Sequence, residues 1–276
     1  MSPATPSNAP ALSISVLGPL SALRDGRALD LGSLRQRAVL AALIVADGRP
    51  LSTDSLIDDV WQDTPPRSAL GTLHSYVSHL RRALEPGKGP RTRNSVLRSR
   101  DGRYSLAAGQ LRVDVWAVQD TIDLARRRRE QGRAREASAA FEAALGRWRG
   151  EAYTELRGYR FARREAFRLE ELRLSAVEMR ADCDLSWGRD PHAVVRDLNE
   201  PSSQEPTREG LSRALMAALC RAGRFNDAVR VFDRTRRVLA AELGTDPGPE
   251  LRQAFTAALR QQTHLTGPAQ AATLPT

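Results

Sequence analysis

Two apolar stripes of helical period, set either side of a tight turn between Leu51 and Leu84, constrain this chain most. Ser52 or Thr53 can cap a short helix carrying Leu56, Ile57, Val60 and Trp61, and Thr64 with Pro65 can start a second that runs to Leu84. On the second helix Leu70, Leu73, Val77, Leu80 and Leu84 recur at helical spacing, so this stripe is expected to face a core. At about 100° per residue the opposite side carries Ser68, Thr72, Ser75, His79 and Arg82, which are polar, hydrogen-bonding and mostly small.

Short strands surround this pair of helices. Upstream, apolar residues alternate from Ile14 through Val16 to Leu20 and Ala22, and Asp25-Gly26 separates them from Ala28 to Leu31. Such a dipeptide suits a two-residue hairpin, because both central residues take positive φ. A helix with Leu34, Ala38, Ala41 and Val45 on one side follows and stops at Asp47-Gly48. Downstream, after Glu85-Pro86-Gly87, Val96 to Arg98 and Tyr104 to Leu106 read as strands around Asp101-Gly102, a second hairpin. Between Arg67 and Tyr104 nine basic residues stand against Glu85 and Asp101, a local +7 within the +9 of the 276-residue chain.

From about Val113 the texture becomes helical throughout, rich in Ala, Leu, Arg and Glu. Val115, Val118, Ile122 and Ala125 make one stripe; Ala134, Ala137, Phe141, Ala144 and Trp148 a second; Leu169, Leu172, Ala176, Met179 and Cys183 a third. Gly-Arg recurs at 132, 188 and 223 between helical runs, the last two copies 35 residues apart. That spacing is near the tetratricopeptide period, so paired-helix repeats are expected. Gly244 stops a helix bearing Ala228, Phe232 and Leu239, and Pro247 or Pro249 starts one bearing Leu251, Phe255 and Ala258.

Several classes drop out. Cys183 and Cys220 have no C-x-x-C partner, so neither a disulfide framework nor a zinc site is supported, and both read as packing thiols. His74 and His79 are five apart on a helix and share no metal-binding face. No nucleophile or metalloprotease motif occurs, and Gly87-Lys88-Gly89 lacks the rest of a phosphate loop and reads as a turn. An enzyme is not expected, nor a cofactor. No run approaches a membrane span, residues 1–11 lack a signal-peptide pattern, and a cytoplasmic protein without membrane partners is expected. Residues 1–11 and 263–276 read as disordered tails.

A helix-turn-helix followed by a basic hairpin can hold duplex DNA, the second helix in the major groove and the hairpin at a neighbouring minor groove or backbone. Thr72 and Ser75 permit close approach to base edges; His79, Arg81 and Arg82 can reach phosphates; Arg98, Arg100 and Arg103 cluster on the wing. Taken singly each of these could be a solvated surface residue; it is their conjunction in one module that points to DNA. Trp61, Trp116, Trp148 and Trp187 read as packing residues. The rival reading is a helical-repeat protein-interaction scaffold whose winged domain does not bind DNA. The expected fold is mainly α: a winged helix-turn-helix with a small β-sheet and wing hairpin over 12–107, then an all-α tetratricopeptide-like domain over 113–262.

The runs LSTDSLIDDVW (51–61), TLHSYVSHLRRALEP (72–86) and RSRDGRYSL (98–106) resemble the winged-helix domain of response-regulator type. GRAREASAAFEAALGRWRG (132–150), RLEELRLSAVEMRADCDLSWGR (168–189) and the stretch 214–251, with its RVLAAELGTDPGPEL, resemble the bacterial transcriptional activator domain. The combination resembles the Streptomyces antibiotic regulatory protein family, over about residues 12–262. The resemblance implies an activator of secondary-metabolite clusters that binds direct repeats in promoter DNA as two side-by-side copies, a homodimer on DNA, and recruits RNA polymerase with its sigma factor. It implies a recognition helix over 66–84, with Ser68, Thr72, Ser75, Tyr76, His79, Arg81 and Arg82 facing DNA. Arg100 matches the minor-groove arginine of the wing, although Asp101 and Arg103 stand where glycines are common. The loop Trp61, Gln62, Asp63, Thr64 to Arg67 matches the polymerase-contact loop. Larger members add an ATPase region; ATP hydrolysis is not expected here.

Overall fold

The computed structural model describes residues 12–86 and 96–266, with side chains as far as Gln261. Residues 1–11, the turn at Gly87-Lys88-Gly89, and Arg91 and Arg93 lie outside the described residues. The chain forms two compact units. One comprises the residues up to Asp123 with Ala143–Leu172; the other comprises Leu124–Glu142 and the residues from Arg173 on.

In the first unit β1 (Leu12–Ser15), β2 (Ser21–Arg24) and β3 (Arg27–Ala28) form an antiparallel meander, and β2 turns into β3 through Asp25 and Gly26 at φ +50° and +78°. The expected hairpin is therefore present, with the positive φ that an Asp-Gly pair accommodates. A two-residue strand, β7 (Arg112–Val113), adds to the other edge of β1 in parallel, giving the order β3-β2-β1-β7. Then α1 (Leu34–Val45) starts at Ser33, which forms a capping box with Gln36. Its expected stripe needs correction: every residue from Ala38 to Ile44 is buried, and Leu34 is half exposed. This helix is central, and α2 (Thr53–Trp61), α3 (Ala69–Leu84) and β6 (Arg103–Leu106) all pack on it. A second sheet has the order β4-β6-β5, with β4 at Leu51–Ser52 and β5 at Leu97–Arg100.

Residues 149–155 belong to this unit because they complete the backbone of the corner after β1. Arg149 N donates to Leu17 O at 2.8 Å, Tyr153 N donates to Val16 O at 3.0 Å, and Glu155 accepts from Leu20 N at 2.9 Å. Asp114, which opens α4 (Asp114–Glu130), accepts from the amides of Val16, Leu17 and Val115 at 2.9, 3.2 and 2.8 Å. Burial pushes the Asp114 carboxyl up from the usual aspartate range, against the pull of these amides.

No strand follows Val113 among the described residues. The three Gly-Arg pairs are helix stops. Gly132, Gly188 and Gly223 take φ of +72°, +90° and +72°. The following arginine amide donates to a carbonyl five residues back: Arg133 N to Arg128 O, Arg189 N to Asp184 O and Arg224 N to Leu219 O, at 2.8–2.9 Å. They join α4 to α5 (Ala134–Leu145), α6 (Arg160–Trp187) to α7 (Pro191–Gln204), and α8 (Glu209–Arg221) to α9 (Phe225–Glu242). The last helix, α10 (Pro249–Thr266), starts at one of the two expected prolines and extends past Thr263, where a loose tail was expected. Phe232 of α9 stacks on Phe255 of α10 at 4.1 Å. Cys183 is buried and Cys220 half-buried, and burial pushes both thiols up.

In the second unit Asp184, 2% exposed, accepts from Ser138 Oγ, from Trp187 Nε1 at 3.2 Å and from Arg189 Nη1 at 2.8 Å. One carboxylate thus ties α5, the end of α6 and the Gly-Arg stop together. Asp184→Ala leaves the buried Ser138 hydroxyl without its acceptor and the half-buried Arg189 with Asp197 alone, and is expected to cost about 1–3 kcal/mol in urea unfolding. A loss under about 1 kcal/mol would mean that the network is not structural.

Candidate nucleic-acid interface

Helix α3 buries Ala69, Leu73, Val77, Leu80 and Leu84. Leu70, expected on that stripe, is 50% exposed. The helix also starts later than expected: Ala69 N donates to Pro66 O at 2.9 Å in a turn, and Ser68 is the N-cap residue. The paired prolines explain the delay, since Pro66 disfavours helical backbone at Pro65 and has no amide to donate. Removing Leu70 from the stripe rotates the outward face. Gly71, His74, Ser75, Ser78 and Arg82 are exposed, whereas Thr72, Tyr76, His79 and Arg81 are half-buried on the flanks. Gly71, His74 and Ser78 are exposed residues that the sequence pattern missed; the spacing 69, 73, 77, 80, 84 would have found them.

The flanking groups already have work within the fold. Thr72 Oγ1 donates to Ser68 O at 3.0 Å and Ser75 Oγ to Gly71 O at 3.1 Å, turning both hydroxyl protons into the helix. The Tyr76 ring stacks on Trp61 with centroids 5.9 Å apart. His79 lies against Gly32, and its Nε2 is buried without a hydrogen-bond partner. Arg81 was expected to reach phosphate; instead its Nε donates to Leu97 O at 3.1 Å, tying α3 to the first wing strand. The same end of α3 is held twice more: Arg24 Nε donates to Leu84 O at 2.9 Å, and the buried Glu85 carboxylate accepts from Val96 N at 2.8 Å. Arg82 remains exposed.

The wing turns at Asp101 and Gly102, with φ of +50° and +68°, and Arg100 pairs with Arg103 in register. Asp101 and Arg103 therefore leave the hairpin intact, because Asp tolerates the left-handed region and Arg103 is already in the strand. Thr53, at the start of α2, donates to Gly102 O from both its amide (3.1 Å) and its hydroxyl (2.8 Å), holding the tip. Alternation puts Tyr104 and Leu106 in the core and Arg98, Arg100 and Arg103 outside, all exposed. Arg100 stands directly opposite Arg103, and like charges so placed repel unless an anion comes between them. Asp101 lies 3.4 Å from Arg100 in a fully solvated pair.

In the loop between α2 and α3, Trp61 is only 6% exposed and serves as packing, so its ring is not available to a partner. Gln62 has φ +53°, and its Nε2 donates to Gly158 O at 3.1 Å; Asp63 pairs with Arg160 at 2.7 Å. Thr64 and Arg67 are exposed. Among the described residues no group of three or more His, Cys, Asp or Glu could hold a metal ion.

These features define a winged helix-turn-helix of the transcription-regulator class. Residues 26–101 match the family described as transcriptional regulatory protein, C terminal, and residues 113–259 match the bacterial transcriptional activator domain. The chain is 38% identical to the regulatory protein AfsR of Streptomyces griseus over 97% of its own length and 26% of that protein. It is 33% identical to the regulatory protein DnrI of Streptomyces peucetius, over 90% of this chain and 92% of that one. The solved structure of Mycobacterium tuberculosis EmbR in complex with a low affinity phosphopeptide superposes with a TM-score of 0.84 at 34% identity, over 91% of this chain and 65% of that one. The chain belongs to the Streptomyces antibiotic regulatory protein family of transcriptional regulators. It spans about a quarter of the length of the AfsR proteins it matches.

The placement of Leu70 has a direct check. Leu70→Ala is expected to change unfolding free energy by less than about 1 kcal/mol, whereas Leu73→Ala, at a fully buried site, is expected to cost about 2–5 kcal/mol. Equal losses would return Leu70 to the core.

Proposed function

We propose that this chain is a sequence-specific transcriptional activator of a secondary-metabolite cluster that binds direct promoter repeats as two side-by-side copies and recruits RNA polymerase through its sigma factor. Residues 12–107 bind DNA, with α3 in the major groove and the wing arginines at the minor groove, and residues 113–262 carry the activator functions. The observation that carries this reading is the wing: Arg98, Arg100 and Arg103 crowd one exposed face, rigidly held beside the bare outer side of α3. A guanidinium cluster of this kind fits a narrow minor groove or the phosphates along it. Ser75 and Arg82 on α3 face the same ligand, joined by His74 and Ser78; Arg81 acts by positioning the wing. The exposed residues Asp63, Thr64 and Arg67 form the polymerase-contact loop, and Gln62 anchors it.

Two measurements test this. Fluorescence-polarisation titrations of duplex DNA against salt should give a steeply falling affinity, and Arg100→Ala should weaken binding and flatten the log–log slope by about 1, the share of one phosphate contact. A salt-independent affinity, or an unchanged slope in Arg100→Ala, contradicts the docking. Asp63→Asn breaks an exposed ion pair worth at most about 1 kcal/mol, so fold and DNA affinity should persist while transcription from a bound promoter falls. Full transcription by that variant removes Asp63 from the polymerase contact.

A further inference from the structure

The first turn of α3 carries two residues for which neither the fold nor the reading above has a use. Leu70 leaves half its surface in water on a helix whose other large apolar residues are all buried. Beside it, Gly71 is exposed; a Cβ built there meets nothing within 4 Å, and its φ is not positive. Neither crowding nor backbone conformation requires a glycine at this position, and helix propensity disfavours one. What a bare Cα allows is close approach by a body outside the chain.

The neighbouring groups narrow what that body presents. The exposed residues of the first two turns are Leu70, Gly71, His74 and Ser75; none is an Arg, Lys, Asn or Gln, the side chains that pair bidentately with purine edges. The hydroxyl protons of Thr72 and Ser75 are committed to the helix itself. This end of α3 is therefore poor in free donors and offers one large apolar side chain. In a major groove the apolar feature is the 5-methyl group of thymine. Resting on the DNA-binding reading above, we propose that Leu70 reads a thymine in each repeat by contact with its 5-methyl group, and that Gly71 lets the start of α3 lie close enough to the base edges for that contact. Leu70 is then a specificity-determining residue, set one helical turn before the exposed His74 on the same flank.

The experiment uses the full chain and a duplex recovered by selection from random sequence. Each thymine is replaced in turn by deoxyuridine, which keeps the base pair and removes only the methyl group. For the wild type, one position per repeat should lose about fourfold in affinity, the worth of one buried methyl. Leu70→Ala, which removes the contact from both copies, should bind the thymine duplex more weakly by about the square of that factor and be indifferent to deoxyuridine at that position. Gly71→Ala should melt at a higher temperature than wild type and yet bind DNA less tightly. If wild type and Leu70→Ala respond alike to every replacement while both bind the duplex, the thymine contact is wrong and the DNA reading stands. If Gly71→Ala binds as tightly as wild type, the close approach is wrong. If no duplex is recovered or bound, the DNA reading falls and the thymine contact falls with it.

Discussion

The roll of α3 about its own axis is the constraint on which the site depends. Leu73, Val77, Leu80 and Leu84 are almost wholly excluded from water. Burying a leucine or valine is worth about 1.5–3 kcal/mol, so turning the helix enough to expose that stripe would cost an amount comparable to a domain's whole margin of stability. With the roll fixed, Gly71, His74, Ser75, Ser78 and Arg82 have only one direction to face. Three hydrogen bonds then set the far end of the helix against its surroundings: Arg24 on the Leu84 carbonyl, Glu85 on the Val96 amide and Arg81 on the Leu97 carbonyl. Thr53 holds the tip of the wing in the same way. The exposed arginines are therefore carried on a rigid frame, which lowers the entropy lost when an anion is engaged.

A second set of contacts gives the first unit its extent. The corner from Val16 to Leu20 has few backbone partners within its own sheet, and it takes them from Asp114, Arg149, Tyr153 and Glu155. Buried amides need acceptors, and here two carboxylates supply them. The consequence is that Ala143–Leu172 pack with the N-terminal residues although they lie within the stretch that matches the activator-domain family. Helices α4, α5 and α6 each contribute residues to both units.

How much of this was legible in the sequence follows the range of the interactions. The Asp-Gly hairpins and the Gly-Arg helix stops were readable because a positive φ is a local demand that few residues meet. The stripes on α4, α5 and α9 were readable because their period is long enough to measure. The strands β4 and β7, two residues each, carry no period and exist only through pairing with β6 and β1. Leu70 differs for a simpler reason: a leucine next to an apolar stripe reads as part of it, which shifts the apparent outward face toward His79 and away from His74 and Ser78. Arg81 looked like a phosphate ligand because charge is visible in a sequence, whereas the carbonyl it satisfies is sixteen residues away. The carboxylate contacts of Asp114 and Glu155 span still longer separations and leave no local mark.

The central claim is that the outward face of α3 and the wing together select a DNA sequence. A random-sequence selection with the purified chain tests it most directly. The account predicts enrichment of a direct repeat whose half-sites lie about one helical turn apart, at 10–11 base pairs, each with an A·T-rich segment where the wing falls. Recovery of a pool no different from the starting library, at a salt concentration where the protein is folded, would contradict it.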